Sequence, residues 1–220
     1  MYNYYDYNSY DYYNPSTLQQ TESYVRILHA SPDAPPVDIY INDMLLVQNL
    51  AFKSFTDYYP LDPGVYNIKV FPAGQTQNPV IDRDLRVPPN GIYTIAAINE
   101  LSDITLYPIL DTPMPIPNNM VYVRFVHLSP GAPNVDVRLP DGTTLFEDVE
   151  YKEVTDYILV NPGTYTFEVF PTGTDQSVLF VPNATLKPNR FYSVYAVGLA
   201  GGQPPLQALI PLDGNSYLPV

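Results

Sequence analysis

The side chains that could do acid–base or ligand chemistry come in two matched sets. His29 and His127 are the only imidazoles in the chain, followed by Ser31 and Asp38 in one case and by Ser129 and Asp136 in the other. Serine, histidine and aspartate are the parts of an acyl-transfer triad. Their spacing argues against one: each serine lies two residues past its imidazole, directly before a proline, with no glycine-rich elbow to expose the hydroxyl or build an oxyanion hole. A metal would need more ligands converging on each histidine, and scattered aspartates in a chain with no cysteine do not supply them. Asp33, Asp43, Asp62 and Asp141 fall in turns, where such side chains bond nearby backbone, and there is no D-x-D-x-D-G calcium loop. Phosphate-binding and dinucleotide-binding glycine motifs are missing too. No catalytic, cofactor-binding or metal-binding residue is therefore assigned, and no cofactor is expected. His29 and His127 read as structural, each imidazole bonding the backbone of the loop that follows it. Arg26 with Asp38, and Arg124 with Asp136, are expected to form cross-strand ion pairs that help pin strand pairing.

These residues sit in a stretch that occurs twice. YVRILHASPDAPPVDIYI, starting at Tyr24, is matched by YVRFVHLSPGAPNVDVRL, starting at Tyr122. Val25, Ile27 and His29 alternate with Arg26 and Leu28, the period of two that marks a strand. The prolines of SPDAPP break the run, and Val37, Ile39 and Ile41 then alternate with Asp38 and Tyr40 in a second strand. Further runs of the same kind give seven or eight strands per copy, and no apolar pattern of helical period lasts three turns.

The second copy follows the first at an offset of 98, then 99 after the turn at Asp141-Gly142. Lys53 matches Lys152, Thr56-Asp57-Tyr58 matches Thr155-Asp156-Tyr157, and Pro63-Gly64 matches Pro162-Gly163. In each copy the proline-glycine pair leads into a tyrosine, Tyr66 or Tyr165, placed to form a tyrosine corner in which the phenol bonds back to the loop. Short strands between proline and glycine turns at regular spacing predict an all-β protein of two tandem immunoglobulin-like β-sandwich repeats, with a transthyretin-like topology as the alternative. The repeats are placed at residues 24–112 and 122–220. The proline-rich linker between them, 113–121, is stiff enough to hold a preferred orientation.

Composition narrows the partners. The 220 residues carry a net charge of −13, with 25 prolines, 21 tyrosines and no cysteine. That charge opposes nucleic acid and anionic membranes, no apolar run is long enough to insert in a membrane, and no disulfide can form. The N-terminus has neither the basic region nor the apolar run of a secretory signal, so synthesis in the cytoplasm is expected. The sequon at Asn183-Ala184-Thr185 is accordingly read as coincidental.

Residues 1–23 are of another kind. Tyr2, Tyr4, Tyr5, Tyr7, Tyr10, Tyr12 and Tyr13 are separated by Asn, Asp and Ser, with no aliphatic residue between Met1 and Leu18. Such a segment has no aliphatic face to bury on its own. Its rings with polar tips suit contacts with a neighbour, by stacking, by strand addition or by oxidative coupling. It reads as an interaction tail.

The core VR-hh-H-x-SP-x-AP-x-VD-h (h apolar), with PGVYNIKVFPAG and PGTYTFEVFPTG after it, resembles the bacterial domain of unknown function 4397, in two copies over roughly residues 24–212. The resemblance implies β-sandwich modules of envelope and secreted proteins and brings no catalytic or binding residues. A cysteine-free, tyrosine-rich chain is also similar in composition, by analogy only, to spore-coat components. Together these give the expectation of a non-enzymatic structural or assembly protein of a bacterial spore or cell surface, whose tail contacts further copies of itself or other coat proteins. The alternative is an adhesion module that binds glycan or protein through the sandwich loops.

Overall fold

The computed structural model describes residues 22–219, so the seven tail tyrosines, Tyr2 to Tyr13, lie outside the described residues. The period-two runs become strands, eight in each repeat among the described residues. In the first they are β1 (Ser23–His29), β2 (Val37–Ile41), β3 (Met44–Leu50), β4 (Tyr59–Leu61), β5 (Gly64–Pro72), β6 (Ile81–Val87), β7 (Ile92–Ile98) and β8 (Thr105–Leu110). In the second they are β9 (Val121–His127), β10 (Val135–Arg138), β11 (Thr144–Val149), β12 (Ile158–Val160), β13 (Gly163–Pro171), β14 (Leu179–Leu186), β15 (Arg190–Val197) and β16 (Gln207–Leu209). Two single 3-10 turns, Leu101–Asp103 and Gly214–Ser216, are the helical elements among the described residues. Among the described residues, no helix is long and apolar enough to cross a membrane.

Each repeat is a sandwich of two four-stranded sheets. One sheet has the order β4-β1-β7-β8 in the first repeat and β12-β9-β15-β16 in the second; its partner has the order β3-β2-β5-β6 or β11-β10-β13-β14. Pairing is antiparallel except at the centre of the first kind of sheet, where β1 runs parallel to β7 and β9 to β15. Ser23 already belongs to β1, its hydroxyl donating to the Pro88 carbonyl and accepting from Gly91 N–H. Strand β1 thus starts one residue before Tyr24.

Alternation along β1 has an outcome that the strand pattern alone does not reveal. Val25 and Ile27 enter the core of their own sandwich, with Ile39, Ile68 and Val70 opposite. Leu28 points the other way, into a cluster with Ala96, Ile98 and Ile109 of its own repeat and Val126, Leu128, Tyr195 and Val197 of the other. The two sheets built on β1 and β9 therefore pack face to face, and the molecule is four layers deep. Burying a side chain such as Leu28 or Val126, both wholly inaccessible, contributes about 1.5–3 kcal/mol. Cover on both faces explains why Leu28 and Val126 are apolar at positions where the alternation leads away from their own sandwich.

Candidate functional site

The polar residues singled out by the sequence divide between two environments, and only one joins the repeats. Arg26 and Arg124 lie on the faces of β1 and β9 that meet. Arg26 Nη2 donates to Asp213 Oδ1 at 3.1 Å, Nη1 to the Leu212 carbonyl at 2.9 Å, and Nε to Thr94 Oγ1 at 2.8 Å. Arg124 repeats the pattern with Asp111 Oδ1 at 2.5 Å, the Leu110 carbonyl at 2.7 Å and Ser193 Oγ at 2.7 Å. The expected pairs with Asp38 and Asp136 are thus corrected: each arginine takes the aspartate that closes the other repeat. The reason is direction, since successive side chains on a strand point to opposite faces.

Two tyrosines complete this arrangement. Tyr58 donates to Asp111 Oδ2 at 2.7 Å and Tyr157 to Asp213 Oδ2 at 2.8 Å, while their rings lie 4.8 Å and 4.5 Å from the guanidinium carbons of Arg26 and Arg124. Burial works against the charge of both arginines, but the acidic groups around them, the phenols included, raise their pKa further above an already high value. Burial, reinforced by the neighbouring Asp111 charge, pushes the Asp213 carboxyl upward to about 6. Tyr195 lies wholly buried beside these charges, at a position where the first repeat has Ala96. Thr94, Ser193, Asp111, Asp213, Tyr58 and Tyr157 were not picked out as a set from the sequence. The matched Thr-Asp-Tyr triplets and the Leu-Asp pair near the end of each repeat were the available signals.

His29 and His127 stand elsewhere, both essentially inaccessible. Nε2 of each meets a carbonyl in the following loop, Pro35 at 3.0 Å and Pro133 at 3.2 Å, so that nitrogen carries the proton and donates. His127 Nδ1 accepts from the backbone N–H of Ser129, whose hydroxyl donates to the Gly198 carbonyl. The imidazole meets the serine's backbone and not its hydroxyl, which is not the geometry of a nucleophile and its base. Burial pulls both histidines below their usual range.

Asp38 and Asp136 hold the partner sheets. Asp38 accepts from the backbone of Asn49 at 2.7 Å and Gly74 at 2.8 Å, and Asp136 from Asp148 N–H, Thr172 Oγ1 and Arg138. Asn49 and Asp148 have positive φ, 56° and 52°, where the pairing of β2 with β3 and of β10 with β11 shifts register. Each aspartate therefore ties a bulge to the turn after β5 or β13. Tyr66 and Tyr165 close their corners, donating to the carbonyls of Asp62 and Asn161 at 2.8 Å. Of the turn aspartates, Asp33 accepts from Leu101 N–H, Asp141 from Thr143 N–H, and Asp43 pairs with Lys69 at 2.6 Å. No group of three or more possible ligands is disposed to hold a metal ion among the described residues.

The opening that borders the interface is a groove of about 570 Å³ beside Arg124, lined also by Leu110, Met114, Thr155, Asp156 and Tyr157. It is mixed in character, with a carboxylate, a hydroxyl and a phenol among apolar walls.

A solved structure described as "Alpha-glucan binding by a streptococcal virulence factor" is 12% identical over 90% of this chain and 100% of that one, with a TM-score of 0.24. A likeness of that size says nothing of a ligand for this chain. No curated protein matches it. The model of the family described as Domain of unknown function (DUF4397) matches residues 23–138 and 139–217, dividing after β10 where the sheets divide between β8 and β9. With nearly the whole chain matched in two adjacent segments, the protein belongs to this family of domains of unknown function.

Proposed function

We propose that the chain is a non-enzymatic structural protein of a bacterial spore or cell surface, a stiff two-sandwich body whose tyrosine-rich N-terminal segment joins it to its neighbours. The observation that carries this reading is the reciprocal exchange at the interface, Arg26 with Asp213 and Arg124 with Asp111. Each charge is buried and matched by the other repeat, which suits a body that transmits load without hinging. Both histidines and Ser129 are bonded to loop backbone, so these residues serve the fold. Composition supports the surface setting, and the tail is the part of the chain left over for contact.

Light scattering on the full chain and on a chain lacking residues 1–20 tests this. The full chain is expected to form large species and the shortened one to remain a folded monomer. Equal masses for the two would overturn the proposal.

A second reading, a binding module, draws on the groove beside Arg124. It places the ligand at the junction of the repeats in place of the sandwich loops, and a glycan or protein screen on the shortened chain would reveal it.

A further inference from the structure

The face that each repeat turns to the other has a polar part and an apolar part, and only the polar part is alike in both copies. Arg26 and Arg124, Tyr58 and Tyr157, and the closing Asp111 and Asp213 hold equivalent places. Each guanidinium takes the other repeat's carboxylate, and each carboxylate takes its own repeat's phenol, so the bonds close into a ring of twofold character. Nothing in that ring distinguishes one repeat from the other, and it does not decide which repeat pairs with which.

The apolar part is complementary. At the repeat offset of 99, Ala96 is matched by Tyr195 and Phe55 by Val154, and all four belong to the cluster between the sheets. Where one repeat is small the other is large. The Tyr195 ring meets Phe55 across the interface, with centroids 5.6 Å apart. It also lies within reach of the charges of both arginines and both aspartates. A side chain that reaches all four members of a twofold ring stands near its axis, and the position of its counterpart, Ala96, therefore does too. The Tyr195 hydroxyl has no hydrogen-bond partner among the described residues, so what this residue brings to the axis is the bulk of its ring.

We propose that Ala96 and Tyr195, with Phe55 and Val154 beside them, select the partner of this face: a repeat of the opposite kind fits it and a repeat of the same kind does not. Two second repeats brought together would set one Tyr195 ring against another at the axis, and overpacking of that sort forces side chains off their rotamers. Two first repeats would set Ala96 against Ala96 and leave the lining of the axis without partner atoms. One repeat of each kind fills the space once. Selection of this sort works through what the wrong partner loses as well as what the right one gains. It keeps the shared ring of charges from joining like repeats of neighbouring copies, and it does not depend on the tail-mediated assembly proposed above.

Thermal midpoints of full-length variants test this. Tyr195→Ala, which empties the axis, and Ala96→Tyr, which crowds it, are each expected to lower the midpoint by on the order of 10 °C. Tyr195→Phe keeps the ring and should leave the midpoint almost unmoved. Ala96→Tyr and Tyr195→Ala in one chain carry the ring to the other side of the axis, and this transposed chain should recover most of the two losses. A transposed chain as unstable as the sum of the single variants, or one that does not fold, would show that Tyr195 packs as an ordinary side chain of its own repeat and would overturn the proposal. Partner choice is read by mixing the two single variants and refolding them together from urea. Across copies, the enlarged first repeat of one matches the emptied second repeat of the other, and the two unchanged repeats match as well. The mixture is expected to melt near the natural chain and above either variant alone. A mixture that melts as its two components do separately would overturn selection by these residues.

Discussion

Arg26 and Asp213 are 187 residues apart in the chain and meet at 3.1 Å with almost no exposure of either side chain. The first repeat supplies the cation and the last turn of the second supplies the anion, and Arg124 with Asp111 returns the exchange. Removing one member of a buried pair leaves the other charged and unmatched, which costs about 3–5 kcal/mol. Asp213→Asn keeps the shape of the side chain and withdraws its charge. It is expected to lower the thermal midpoint by on the order of 10 °C in a chain of this length. Adding Arg26→Met should recover part of that loss, because the stranded charge goes with it. A double variant no more stable than the sum of the two single losses would show that the pair does not act as a unit.

The same exchange makes the repeats dependent on one another. Apolar burial from Leu28, Ile98, Leu128 and Val197 adds to it, and Tyr107 and Tyr151 bond across to the Lys152 carbonyl and to Asn99 Oδ1. A protease site placed in the linker between residues 113 and 119 should therefore be cut without separating the halves. The fragments are expected to elute together at the mass of the intact chain. Separate elution of two folded fragments would mean that the linker, and not the interface, holds the repeats in place.

Much of the fold was legible because strands announce themselves by period. Val25, Ile27 and Val37, Ile39 mark the inward faces, and Pro63-Gly64 before Tyr66 marks the corner. The interface was not, for two physical reasons. Arg26 and Leu28 look like an outward face, and nothing local says that another sheet covers them. The aspartates that match the arginines sit at Asp111 and Asp213, 102 residues apart where the repeat runs at 98 or 99, so added residues hide their equivalence. Asp38 lies nearer in sequence, but on a strand of the partner sheet, and its carboxylate is committed to the backbone of Asn49 and Gly74.

The tyrosine corners permit a narrower test. Tyr66 and Tyr165 each donate one hydrogen bond to a carbonyl four residues upstream at 2.8 Å. Replacing either with Phe removes that bond and leaves the ring packing in place. Each substitution should cost about 0.5–1.5 kcal/mol, read as a lower urea midpoint with an unchanged slope. Because the two corners lie in different sandwiches, Tyr66→Phe and Tyr165→Phe together should cost the sum. A loss well beyond that sum would couple the corners through the interface.

Acid should weaken the protein through its two histidines. Burial lowers both pKa values, and the Nδ1 atoms are poorly placed to gain a proton: that of His127 already accepts from Ser129, and that of His29 has no hydrogen-bond partner among the described residues. As pH falls through about 6.5, the unfolded chain takes up these protons before the folded one does. The stability they allow is whole above that pH and is lost progressively below it, down to the folded values. Asp213 acts in the opposite sense, since its raised pKa lets the folded chain hold a proton more tightly between the ordinary carboxylate range and about pH 6. The histidine contribution is therefore measured as a difference. Urea midpoints of the natural chain should fall more between pH 7.5 and pH 5.5 than those of a His29→Gln, His127→Gln variant, whose slope keeps only the carboxylate part. Parallel profiles for the two proteins would show that the buried imidazoles do not set the acid limit of the fold.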